Sequence, residues 1–113
     1  MTLQDFKHQL QNEPATIDFK ETIAVIENNY NFTPSAFKNG ELENEVSQNQ
    51  GSCKVFSFAI QQELTKEETL ACFGQYYTEV LGDPNGTGHQ NIRNFMKTSF
   101  EGLQFENETL TKK

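Results

Sequence analysis

The sequence predicts an α+β fold, with about five helices packed around a small antiparallel sheet. Three observations carry that prediction. Apolar residues recur at helical spacing along most of the chain, behind residues suited to capping. An Asn39-Gly40 pair sits between two short alternating segments, which is a hairpin signature. Alternation returns at Leu103-Gln104-Phe105, just after the breaker Gly102.

Thr2 with Asp5 three residues on is a capping signal, and Leu3, Phe6 and Leu10 follow on one helical face. Pro14 ends that helix, because the residue before proline is pushed out of the helical region. Asp18 and Glu21 form the next capping pair; Phe19, Ile23, Ile26 and Tyr30 follow on one face. A stop is expected near Tyr30, after Asn28-Asn29.

Residues 36–45 read as a β-hairpin turning at Asn39-Gly40. That turn sets Lys38 opposite Glu41 and Phe37 opposite Leu42. Glu43 to Gly51 is a polar loop. Ser52 is then expected to cap a helix over 53–63, with Phe56, Ala59, Ile60 and Leu64 on its buried side. Val55 and Phe58 also suit a strand there. Thr65 and Glu68 cap a helix over 66–81, antiparallel to the preceding one, with Leu70, Phe73, Tyr77, Val80 and Leu81 inward. The stretch from Asp83 to Gly88 is rich in breakers. A last helix over 89–99 buries Ile92, Phe95 and Met96; residues 103–106 supply a third strand, and the 111–113 end reads as a frayed tail.

The 113 residues are expected to form one domain, 1–113, and a monomer. Ten Phe and three Tyr without Trp make the core largely phenylalanine. Sixteen acids against nine bases give −7, which disfavours nucleic acid and anionic membrane surfaces. No apolar run is long enough to span a bilayer, and the N-terminus lacks the basic start and apolar stretch of a signal peptide. Two cysteines do not make a disulfide framework, so both are expected reduced in a cytoplasm.

Four blocks together carry a resemblance: Asn39-Gly40; Gly51-Ser52-Cys53-Lys54; the run from Thr69 to Tyr77; and Pro84-Asn85-Gly86 followed by the run from His89 to Met96. In that order they span essentially the whole chain, which resembles the HopJ type III effector family. Where the family pattern has Gly-Trp before the last strand, this chain has Ser99-Phe100, which keeps an aromatic. The resemblance implies an α/β-class fold and a bacterial source. It also implies relatedness to a protein that plant pathogens deliver into host cells. It brings no catalytic residues and no cofactor. The expected location is the bacterial cytoplasm, with type III secretion if the family label applies.

Candidate sites follow from the residues. Cys53, at an expected helix start beside Lys54, has two features that favour thiolate, and His89 is a base that could pair with it; the alternative is a small packing residue. Cys72 lies among apolar neighbours and reads as buried. Two Cys and two His lack metal-ligand spacing, so no metal site is expected. The Asp83 loop has Asn94, not Glu, where a calcium loop needs its bidentate ligand. The 51–54 stretch lacks the first glycine of a phosphate loop. His89, Arg93 and Lys97 share one helix face, a basic stripe or simply a solvated one. Ser52, Cys53, Lys54, His89 and Arg93 are therefore the candidate residues for an anion site. The residues favour a partner-binding protein over an enzyme. The alternatives are a thiol-dependent enzyme using Cys53 and a binder of small acidic ligands.

Overall fold

The computed structural model describes residues 2–113. Its helices are α1 (Leu3–Asn12), α2 (Phe19–Asn29), α3 (Gln50–Gln62), α4 (Lys66–Ala71), α5 (Gln75–Gly82) and α6 (Gln90–Thr98). Its strands are β1 (Tyr30–Phe32), β2 (Phe37–Asn39), β3 (Leu42–Asn44), β4 (Leu103–Phe105) and β5 (Leu110–Lys112). The arrangement is α+β, as the sequence predicts.

Reciprocal capping boxes start α1, α2 and α4: Thr2 with Asp5, Asp18 with Glu21, and Thr65 with Glu68. Each box satisfies two N–H groups that the helix itself leaves open. These starts agree with the sequence.

The core is built on α3. Cys53, Val55, Phe56, Ser57, Phe58 and Ala59 are all buried, so this helix is covered nearly all round, as central helices are. Phe56 is the hub. Its ring centre lies 5.0 Å from that of Phe95, 5.4 Å from Phe73 and 6.3 Å from Phe37. One side chain thereby ties α6, the α4–α5 junction and the hairpin to α3. Ile60, expected inward, is about half exposed and points outside this cluster.

The three-stranded sheet has the order β3-β2-β4, all antiparallel. The third strand pairs as predicted, with Phe37 opposite Phe105 and the two rings stacked. The hairpin register differs from the prediction. Asn39 pairs with Leu42, Lys38 with Glu43 and Phe37 with Asn44, so Gly40-Glu41 form the turn. Gly40 has φ +64°, whereas Glu41 has no positive φ, which is the type II′ pattern. The reason lies at Asn39. Its side chain is fully buried and its Nδ2 donates to the Asn91 carbonyl at 2.7 Å, which holds it in the strand. Each partner slides by two residues, so Phe37 and Leu42 stay on one face. The Lys38–Glu43 pair, at 3.5 Å, is exposed and does not set the register.

Three further expectations are corrected. The 66–81 helix is two helices. Gly74 adopts φ +57°, ψ −126° and turns the chain between them. A Cβ at Gly74 would lie 2.6 Å from the Phe19 nitrogen and 2.7 Å from the Ile17 carbonyl oxygen. The backbone of 17–19 crosses at that spot, and only glycine leaves room. Leu81, expected inward, is consequently 56% exposed.

Ser52 does not cap α3; the helix begins earlier, with Asn49 in the left-handed region that asparagine tolerates. The tail is not frayed. β5 pairs with β1, Leu110 is buried, and Gln61 Nε2 donates to the Leu110 carbonyl at 2.7 Å. One apolar residue in that segment gave the sequence no period to show.

Candidate functional site

The starts of α3 and α6 open onto a cleft of about 630 Å³. Gly51 and Ser52 line it from α3, Gln90, Asn91 and Ile92 from α6, and His89 from just before α6. Phe19, Phe73 and Tyr76 form its aromatic side. No side-chain hydrogen bond caps either helix; Asn49 and His89 both hold their cap positions in left-handed backbone. First-turn N–H groups lack intrahelical partners, and the positive ends of two helix dipoles thus face one space.

Buried amides hold the two starts together. Asn91 Oδ1 accepts from Asn39 Nδ2 and from Asn44 Nδ2, each at 3.1 Å. Asn44 Oδ1 accepts from Asn91 Nδ2 at 3.0 Å and from Asn49 Nδ2 at 2.7 Å. Asn44 and Asn91 also line the cleft. The network joins β2 and β3 to the start of α6 and to the cap residue of α3. Asn39 Oδ1 is buried with no partner among the described residues. Sequence reasoning missed this network. A spacing of five residues between Asn39, Asn44 and Asn49 matches neither helix nor strand, and asparagine in loops ordinarily signals a turn.

The sequence-named residues separate. Ser52 and His89 share the cleft. The His89 Nε2 lies 2.7 Å from the Glu79 carboxylate, and its ring centre is 5.2 Å from that of Tyr76. Lys54 faces another way: its Nζ is 3.1 Å from the Glu27 carboxylate and 4.8 Å from the centre of the Phe32 ring. Arg93 borders a different hollow, between α5 and α6. Its Nε donates to the Gly88 carbonyl at 2.6 Å and its Nη1 to the Pro84 carbonyl at 3.4 Å. Arg93 therefore braces the loop of 83–88.

Cys53 is fully buried and does not line the cleft; its Sγ lies 4.0 Å from the Ser35 carbonyl oxygen. Burial pushes its thiol up to about 11, outweighing the opposing influences of Ser57, Ser35 and Lys54. Burial likewise raises Cys72, and the Glu68 charge adds to it. Among the described residues no group of three or more His, Cys, Asp or Glu is placed to hold a metal. No helix among them is long and apolar enough to cross a membrane.

No curated protein matches the chain. A crystal structure described as that of the unknown function protein VPA0580 is 53% identical, with a TM-score of 0.97, and the match covers 100% of this chain and 95% of that one. The family model for the HopJ type III effector protein matches residues 3–110. With nearly its whole length matched, the chain belongs to the HopJ type III effector family.

Proposed function

We propose that this protein works by binding, and that its ligand presents a carboxylate or phosphate to the cleft between α3 and α6. The observation that carries this reading is the pair of helix starts, neither capped by a side chain, that open onto one cleft beside His89. Helix starts favour anions through their free N–H groups and dipoles. Glu43 is the acid on the cleft wall, and it is partnered by Lys38. Phe19 and Tyr76, with ring centres 5.1 Å apart, supply an apolar side against which the rest of a ligand can pack. The family's description as type III effectors supports a partner protein in a recipient cell as one bearer of that group.

Cys53 argues for binding over thiol chemistry. A nucleophilic cysteine needs a lowered pKa and access, whereas this thiol is buried and shifted up.

The test is a phosphate titration followed by amide NMR. The N–H signals of Gln50 to Ser52 and of Gln90 to Ile92 shift together and saturate. His89→Asn keeps a residue that tolerates left-handed backbone, removes the imidazole and weakens the response. Amides that stay still at both helix starts while phosphate reaches tens of millimolar would sink the proposal.

A further inference from the structure

We infer that a second surface, the groove between the end of α1, the Pro14–Thr16 turn, α4 and α5, docks a basic amphipathic helix of a partner protein. The groove encloses about 560 Å³ and shares no lining residue with the cleft. Its walls include Leu10, Ala15, Ile17, Ala71, Tyr77 and Leu81. Leu81 is 56% exposed, among the most exposed large apolar side chains described. An apolar hollow of this size lies within the ~300–1,000 Å³ range of binding pockets and accepts several large side chains.

Charge selects the occupant. Glu67 and Glu68 line the groove from α4, and no Lys, Arg or His is among the described lining residues. An apolar floor with an acidic rim complements a helix that carries Leu-like residues on one face and Lys or Arg beside them. The groove's shape selects a helix over a strand. Its walls are helices and a tight turn, with no strand edge to extend by backbone pairing, so the mode is helix in groove. Glu68 is held in the α4 capping box by the Thr65 N–H at 2.8 Å, which fixes one acid in place. Glu67 is exposed and free to meet a cation.

The experiment titrates the labelled protein with a designed peptide of Leu and Lys at amphipathic helical spacing. A scrambled peptide of the same composition is the control. Amides of Ala15, Ile17, Ala71, Tyr77 and Leu81 shift with the first peptide only. Leu81→Lys, a change at an exposed position, weakens binding at least about tenfold, as loss of an anchor does. Glu67→Gln weakens it more than Glu106→Gln, an equal charge change at a residue outside the groove lining. Equal binding of the scrambled peptide, equal effects of the two Glu variants, or unchanged binding by Leu81→Lys would each overturn the inference. None of these outcomes bears on the cleft.

Discussion

Gly74→Ala is the most demanding test of the packing described above. The added methyl meets two obstacles. The first is the backbone: φ +57° with ψ −126° is a region that residues with a Cβ rarely enter, at a cost of about 1–3 kcal/mol. The second is contact. The Cβ would sit 2.6 Å from the Phe19 nitrogen, 2.7 Å from the Ile17 oxygen and 3.1 Å from the Asp18 carbonyl carbon. These are backbone atoms of the α2 start, so no side chain can swing away. Forcing them apart adds about 1–3 kcal/mol, as overpacking does. It also strains the hydrogen bond from the Phe19 N–H to Gln75 Oε1, now 3.0 Å. The sum, about 2–6 kcal/mol, is a large share of the ~5–15 kcal/mol a domain holds. The assay is equilibrium unfolding in urea, where this loss moves the midpoint by about 2 M at a typical slope. Gly82→Ala is the control: nothing lies within 4 Å of its Cβ, so its effect stays within about 0.5 kcal/mol. If the two variants unfold within experimental error of each other, the close approach of 17–19 to Gly74 is wrong.

Asn44→Ala removes the acceptor shared by Asn49 and Asn91 and leaves the buried Asn91 Nδ2 unpaired. It should destabilise by about 1–3 kcal/mol in the same urea assay, more than an Asn→Ala change on the surface. Native Cys53 should react with iodoacetamide at neutral pH at least about a hundredfold more slowly than a free thiol, because its thiol is raised from 9.0 to about 11 as well as buried. The sign for stability follows: below 9.0 the thiol is protonated in both states, and between 9.0 and about 11 the unfolded chain ionises first. Stability should therefore fall as pH rises through that interval, and less steeply in Cys53→Ala.

The helices were legible because their starts carry local chemistry. Thr2, Asp18 and Thr65, each with an acid three residues on, announce themselves without any tertiary information. Ile92 and Phe95 on α6 follow from period alone, whereas α2 buries Thr22 and Val25 beside Ile26 and leaves the expected Phe19 and Ile23 only partly covered. What escaped the sequence depends on partners distant in the chain. Gly74 sits inside a continuous helical period, and only the crossing backbone of 17–19 turns it into a break. Asn39 reads as a turn residue until Asn91, 52 positions away, draws it into the core. Leu110 anchors a strand only because β1 is there to receive it. The candidate site divides the same way. Ser52 and His89 were named from helix-start and basic-stripe arguments and share one cleft, while Asn44 and Asn91 gave no local signal. Lys54 and Arg93 carry the charge an anion site would want, but Glu27 and two loop carbonyls hold them elsewhere.

The hairpin register bears on how the protein ages. An asparagine followed by glycine is the pair most prone to deamidation, in which the backbone nitrogen after asparagine attacks the side-chain amide. The chain has two such pairs. At Asn39 the amide is fully buried and donates to Asn91, and the Gly40 nitrogen is occupied by a bond to the Gly102 carbonyl at 2.9 Å. Both reacting groups are engaged and water is excluded, so that pair is protected while the sheet is formed. The Gly86 nitrogen is also bonded, to the Asp83 carbonyl at 3.0 Å, but the Asn85 side chain before it is exposed in its loop, and that exposure is the difference. Loss of ammonia to a cyclic imide, and its hydrolysis to isoaspartate and aspartate, therefore begins at position 85 in folded protein, and its appearance at position 39 records time spent unfolded. Two chemically identical dipeptides thus give the molecule a clock and a tally of its own opening.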